Sequence, residues 1–150
     1  MTFTFTQENL DKSKEIISRY PDGKQASAVI PLLDLAQRQN NGWISKEIME
    51  YIADMLDMAY IRVYEVASFY SMFNLEPVGE KVISVCTTAA CGLFRGDNIL
   101  KELKEKLDGE KYTVKECECL GACVNAPIVQ IEDEYVENAT VEKVLEKVQK

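Results

Sequence analysis

Apolar residues recur at helical spacing throughout the first half of the chain, before residue 74. The predicted inward faces are Leu10, Ile17 and Tyr20; Val29, Leu32, Leu33 and Ala36; Ile48, Ile52 and Met55; and Val63, Val66 and Tyr70. Thr6 and Ser45 are placed to cap the first and third of these helices, and NNG at residues 40–42 ends the second. Pro31 is tolerated only in the first turn of the second helix. The pattern predicts a helical bundle segment whose apolar stripes form a core.

Beyond residue 76 the pattern changes to short β-branched segments separated by helices. The predicted strands are KVISV, KYTVKE, PIVQI and EYVE, and the last two form a hairpin around an acidic turn. Asp97 is a candidate N-cap for a helix that Gly109 would close, and Thr140 is a candidate N-cap for the last helix. The order β-α-β-β-β-α predicts a small mixed sheet covered by helices. The predicted fold class is therefore α+β, with a helical segment at residues 1–76 and a mixed-sheet domain at residues 77–150.

The composition is that of an ordinary globular protein, with 47% hydrophobic and 28% charged residues. A net charge of −8 disfavours nucleic acid as a partner, because phosphate binding needs clustered Lys and Arg. No run of about 18 apolar residues is present, so no direct membrane insertion is expected. The opening residues, MTFTFTQENLDKS, lack the basic and apolar parts of a signal peptide. We therefore expect a reducing compartment, in which structural disulfides are rare.

Five cysteines fall into two short loops, CTTAAC at residues 86–91 and ECECLGAC at residues 116–123. Disulfides, a redox dithiol, a zinc site and an iron–sulfur cluster are the four uses to compare. The odd cysteine count and the expected compartment argue against disulfides. A thioredoxin-type dithiol needs C-x-x-C, which the sequence lacks. The absence of histidine excludes mixed Cys/His zinc sites and Rieske centres.

Cys86 with Cys91 and Cys119 with Cys123 form two chelating pairs, separated by four and three residues. Both loops follow predicted strands, so both can lie at one edge of the domain. Four thiolates satisfy either a tetrahedral zinc ion or an iron–sulfur cluster, and the spacing leaves both open. Small residues in TTAACG and LGAC favour the cluster, because they let backbone amides approach the sulfurs. Cys117 is interpreted as a small buried apolar residue rather than a ligand.

The motifs CTTAAC and ECLGACVNAPIVQI, with SAVIPLLDLAQRQNNGW and IRVYEVASFYSMFNLEPVG upstream, closely resemble the small [2Fe–2S] subunit of NADH:quinone oxidoreductase, respiratory complex I. The similarity runs from Tyr20 to Ile131 and is of the type shared by alphaproteobacteria and mitochondria. It implies a thioredoxin-like ferredoxin domain after the helical segment. It also implies that Cys86, Cys91, Cys119 and Cys123 bind a [2Fe–2S] cluster.

The resemblance further implies a redox subunit that is not active on NADH alone. FMN and NADH are expected on a partner, the flavin-bearing NADH-binding subunit of the peripheral arm, and the sequence has no G-x-G-x-x-G fingerprint after a strand. The expected location is the cytoplasmic side of the bacterial inner membrane, within a membrane-bound complex, or the matrix side of the mitochondrial inner membrane. Alternatives are the equivalent diaphorase subunit of an NAD-linked hydrogenase or formate dehydrogenase, and a zinc-stapled interaction module.

Three departures from the family pattern lie in or near the cysteine loops. Ala90 and Gly92 stand where the family usually has proline and methionine, which predicts a less rigid first loop. Cys117 stands where the family normally has an apolar residue, in agreement with its interpretation as a non-ligand. The stretch between the predicted helix and ECLGAC is shorter than usual, which indicates a trimmed surface connection.

Overall fold

The computed structural model of the chain describes residues 3–149. The chain divides into two compact units, Met1–Pro77 and Val78–Lys150. Within the described residues, the first unit is built from four α-helices and one short 3-10 helix. These elements are α1 (Gln7–Ser18), the 3-10 helix Gln25–Ala28, α2 (Val29–Gln39), α3 (Lys46–Leu56) and α4 (Tyr60–Phe69).

Local sequence sets where the helices of the first unit begin. The hydroxyl of Thr6 accepts a hydrogen bond from the amide of Asn9 at 3.3 Å, and the hydroxyl of Ser45 accepts one from the amide of Ile48 at 3.3 Å. Pro31 lies in the first turn of α2, where its missing N–H costs no intrahelical hydrogen bond. The predicted caps of α1 and α3, and the predicted place of Pro31, are confirmed.

The apolar stripes of the first unit pack into one core, whose most deeply buried side chains include Leu32, Leu33, Ile44, Ile48, Ile52, Leu56 and Val63. In α4 the buried residues are Val63 and Ala67. The expectation that Tyr70 faces inward is wrong: the residue is 40% exposed, because α4 ends at Phe69 and the chain then becomes extended. Five large apolar side chains, called the α4 patch below, are exposed on α4 and the turn after it: Ile61, Tyr64, Phe69, Tyr70 and Met72.

The second unit is a four-stranded sheet with helices packed against it. Its elements are β1 (Lys81–Cys86), α5 (Ala89–Leu93), α6 (Gly96–Lys106), β2 (Tyr112–Cys117), a 3-10 helix (Cys123–Asn125), β3 (Val129–Ile131), β4 (Glu134–Val136) and α7 (Val141–Val148). The strand order is β2-β1-β3-β4, with β1 parallel to β2 and both other pairs antiparallel. The predicted α+β class, with a small mixed sheet and a closing hairpin, is confirmed.

One face of this sheet forms the core of the second unit. Ile83 and Val85 project from β1 into a cluster that contains Leu103 of α6 and Val144 of α7. The hydroxyl of Thr140 caps α7 as predicted, by accepting a hydrogen bond from the amide of Lys143 at 3.3 Å. The helices thus hold the sheet from one side and leave the ends of β1 and β2 to the cysteine loops.

Two predicted helix boundaries in the second unit are wrong. The N-cap of α6 is Arg95, with φ at 64°, so the helix begins at Gly96 and Asp97 lies inside its first turn. The helix ends at Lys106 and the chain leaves it extended at Leu107, before Gly109 is reached. Arg95, with its positive φ, lies in the short connection between α5 and α6. The sequence pattern does not predict α5.

Candidate metal centre

The carboxyl ends of β1 and β2 bring the two cysteine loops to the same edge of the sheet. The two parallel strands pair in register, and Cys86 is the partner of Cys117 at the last position of each. Beyond this pair, the amide of Thr87 donates to the carbonyl of Cys117 at 3.4 Å. The hydroxyl of Thr87 donates to the carboxylate of Glu116. These bonds join the start of the first loop to the start of the second.

Cys86 and Cys91 form the buried half of the site. Each is 1% exposed, and both pack with Ala126 and Ile128 in a small apolar cluster. Cys86 ends β1, whereas α5 turns the chain back and carries Cys91 to it. Gly96 makes this turn possible, because a Cβ there would overlap the carbonyl oxygen of Cys86 and lie 3.1 Å from that of Cys91. The close backbone approach therefore requires glycine.

The two buried thiols differ in acidity. Burial raises the pKa of Cys86, but hydrogen bonds from Thr88 and Cys91 outweigh burial and leave its pKa below the ordinary value. Burial raises the pKa of Cys91, and the hydrogen bond to Cys86 raises it further. The pKa of the Cys86 thiol is therefore lowered and that of the Cys91 thiol is raised, although both are buried.

Cys119 and Cys123 form the exposed half of the site. Gly121, with φ at 72°, turns the backbone between them, and its amide donates to Cys119 Sγ at 3.3 Å. The Tyr135 hydroxyl of β4 donates to the Leu120 carbonyl at 2.6 Å and ties this loop to the sheet. Cys123 starts the 3-10 helix that follows this loop.

The family model of the thioredoxin-like [2Fe–2S] ferredoxins matches residues 13–150. The chain belongs to this family. It is 53% identical over 149 residues to an NADH-quinone oxidoreductase subunit of Rickettsia felis, an alignment that covers 94% of this chain and 89% of that protein. It is 50% identical over 157 residues to the protein of the same name in Rickettsia prowazekii, with 97% and 89% covered.

A eukaryotic relative is similar over a comparable length. The NADH dehydrogenase [ubiquinone] flavoprotein 2, mitochondrial, of Dictyostelium discoideum is 49% identical over 146 residues, which is 92% of this chain and 59% of that protein. The resemblance to the complex I [2Fe–2S] subunit family, inferred from the sequence motifs, is confirmed by these matches.

The donor set of this ferredoxin domain fits a [2Fe–2S] cluster. Two pairs of thiols supply the four sulfurs that such a cluster needs, and all five cysteines are free. An amide already points at the sulfur of Cys119, as expected for a sulfur that becomes a thiolate. Within residues 3–149, no three Cys, Asp or Glu side chains stand together as a preformed metal-binding group. Two of the four thiols are buried and two are exposed, so they lie in different surroundings.

The interpretation of Cys117 as a buried apolar residue is wrong about its burial. The residue is partly exposed, and it lies on β2, an edge strand of the sheet. The Cys117 thiol donates a hydrogen bond to the Cys119 carbonyl at 3.9 Å. Partial burial raises the pKa of this thiol. It shares a strand position with Cys86 but belongs to neither chelating pair.

Sequence reasoning missed two groups that contact the sulfur of Cys86. Thr88 Oγ1 lies 3.4 Å from Cys86 Sγ, and the carbonyl of Glu118 accepts from the same thiol at 3.8 Å. The available signal was a threonine two residues after a candidate ligand. Its orientation depends on the turn into α5, which spacing alone does not predict.

Proposed function

We propose that Cys86, Cys91, Cys119 and Cys123 hold the [2Fe–2S] cluster through which this chain acts as an electron-transfer subunit of NADH:quinone oxidoreductase, respiratory complex I. The family match and the names of its relatives support the cluster type and the enzyme. The observation that most directly supports the ligand set is the in-register parallel pairing of β1 and β2, because it places the starts of the two cysteine loops side by side at one sheet edge.

Each half of the site has its own task. Cys86 and Cys91 are fixed by the sheet, α5 and Ile128, so they anchor one side of the cluster and exclude water from it. Cys119 and Cys123 lie on a loop at the surface and close the other side by turning toward the buried pair. When bound, the cluster takes up and releases one electron at a time.

NADH oxidation requires a second component. Hydride transfer delivers two electrons together, whereas a [2Fe–2S] cluster accepts one, so a flavin must stand between them. FMN and NADH are therefore assigned to a partner, the flavin-bearing subunit of the peripheral arm. This chain is a non-catalytic redox subunit, not active on NADH by itself.

Exposed apolar surface in both units supports docking on that partner. In the first unit the α4 patch includes Phe69, which is 79% exposed. In the second unit Leu93, Phe94 and Val124 are exposed next to the cysteine loops. Apolar patches of this kind mark interaction sites. Among the helices of residues 3–149, none has the length and apolar character that a bilayer crossing demands. The chain is assigned to the cytoplasmic side of a bacterial inner membrane, or the matrix side in mitochondria.

Metal analysis tests the proposed cofactor. Protein purified without oxygen should contain about two irons and about two acid-labile sulfides per chain and show visible charge-transfer absorption. NADH added without the flavin-bearing subunit should leave that absorption unchanged. Colourless protein with about one zinc and no sulfide would indicate a zinc-stapled module instead.

The α4 patch is tested by a single charge. Phe69→Asp places a carboxylate in the patch. We expect the affinity of this variant for the flavin-bearing subunit to fall at least about tenfold, which corresponds to about 1.4 kcal/mol of binding free energy. Titration calorimetry with the purified partner measures the change. Lys14→Glu, at an exposed position on α1, is the matched control and should bind like the wild type. Equal affinity of Phe69→Asp and wild type would remove the α4 patch from the interface.

The diaphorase subunit of a hydrogenase or formate dehydrogenase would have the same cluster in a different enzyme. The relatives at about half identity carry the names of NADH-quinone oxidoreductase and NADH dehydrogenase, which favour complex I. Copurification of the tagged chain with a quinone-reducing membrane arm distinguishes the two assemblies.

A further inference from the structure

Thr88 occupies the N-cap position of α5, yet its hydroxyl does not cap that helix. The residue has the extended backbone of an N-cap, with φ at −78° and ψ at 166°, and makes no side-chain capping hydrogen bond. In the other described helices that start with a hydroxyl residue, Thr6, Ser45 and Thr140 each accept a bond from a first-turn amide. The Thr88 hydroxyl is therefore directed elsewhere.

That hydroxyl contacts the sulfur of Cys86. The distance from Thr88 Oγ1 to Cys86 Sγ is 3.4 Å, which is within hydrogen-bonding range for sulfur. Cys86 is 1% exposed, so water competes little for the sulfur, and the low local dielectric strengthens the bond. The neighbouring Thr87 hydroxyl donates to Glu116 instead. Of the two adjacent threonines, Thr88 is the one whose side chain reaches the ligand.

Ligation determines which atom is the donor. Between a hydroxyl and a free thiol, either atom could donate. A cysteine that binds a metal is a thiolate and has no proton to give. Once Cys86 is a ligand, the hydroxyl of Thr88 must donate and the sulfur must accept.

We propose that Thr88 donates a hydrogen bond to the ligating sulfur of Cys86 and thereby raises the midpoint potential of the cluster. The proposal rests on the cluster assignment made above. Uptake of one electron increases the negative charge shared by the sulfurs, so a donor to one of them stabilises the reduced form more than the oxidised form. Thr88 acts through Cys86 and is a positioning residue that does not itself bind iron.

Redox titration of the full-length, cluster-loaded protein tests this role. Thr88→Val keeps the shape of the side chain and removes the donor, and we expect its equilibrium constant for one-electron reduction to fall by about tenfold, or about 59 mV. Thr88→Ser keeps the donor and should titrate like the wild type. Thr113→Val makes the same chemical change at the opposite end of the sheet, where the Thr113 hydroxyl accepts from Gly79, and should leave the midpoint unchanged.

A second measurement detects the hydrogen bond itself and does not rely on the midpoint potential. In reduced wild-type protein exchanged into D₂O, pulsed EPR should detect an exchangeable deuteron coupled to the cluster that Thr88→Ser retains and Thr88→Val loses. A wild-type midpoint in a fully loaded Thr88→Val, or an unchanged deuteron signal, would overturn the role of Thr88 and leave the cluster assignment intact. Wild-type protein without iron and labile sulfide would instead overturn the proposed function on which the role depends.

Discussion

Replacing Cys86, Cys91, Cys119 or Cys123 by alanine should abolish the cluster. Each change removes one of four thiolates, and the remaining three cannot complete the coordination of both irons. We expect iron content to fall from about two per chain to near zero, with loss of the visible absorption and of the EPR signal of the reduced protein. Iron and sulfide analysis on protein purified without oxygen measures the effect, and circular dichroism checks that each variant is folded.

Cys117→Ser is the matched control for these four variants. It removes a thiol at the paired strand position beside Cys86, yet the residue lies outside both proposed chelating pairs. Its cluster content and EPR signal should match those of the wild type. Loss of the cluster in Cys117→Ser, together with its retention in Cys119→Ala, would show that the second pair is assigned incorrectly.

Gly96→Ala should destabilise the second unit and weaken cluster binding together. An added Cβ would overlap the carbonyl of Cys86 and press on that of Cys91, and both are backbone atoms held by β1 and α5. Overpacking of this kind costs about 1–3 kcal/mol of unfolding free energy. Denaturation by urea, followed by circular dichroism and by the cluster absorption, measures both effects.

Gly109→Ala provides the control for this substitution. Nothing lies within 4 Å of a Cβ at Gly109, so the same added methyl group meets open space. We expect its unfolding free energy to stay within about 0.5 kcal/mol of the wild type, with full cluster content. If Gly96→Ala were as stable as Gly109→Ala, the backbone around the first cysteine loop would be more compliant than the packing indicates.

Two local features of the sequence, apolar spacing and capping residues, predicted most of the helices. Apolar spacing located α1 to α4, and the capping residues Thr6, Ser45 and Thr140 form the hydrogen bonds expected of them. At the start of α6, where the prediction was wrong, packing against neighbouring segments determines the boundary. The start of α6 depends on the tight exit from α5, with Arg95 at positive φ, and this packing against the first cysteine loop leaves no periodic pattern in the sequence.

The candidate ligands are proposed from cysteine spacing, which is a local property. Their surroundings were not predictable from that spacing. The burial of Cys86 and Cys91 depends on Ile128, and the partial exposure of Cys117 depends on the edge position of β2. The contact from Thr88 depends on the geometry of a five-residue helix. The first two properties come from pairing between segments far apart in the chain, and the third comes from a turn that cysteine spacing does not describe.

The unequal burial of the four thiols determines how a newly synthesised chain can be damaged before it is loaded. Cys119 and Cys123 face solvent, where peroxide and other oxidants reach them, whereas Cys86 and Cys91 are sealed beneath apolar side chains. Oxidation of the exposed pair would disable half of the proposed donor set without disturbing either core, since neither residue contributes to one. Such a chain would stay folded and pass a thermal-melt assay, yet never accept iron. The number of reactive thiols, and not the melting temperature, therefore measures how much of a purified sample can still bind iron.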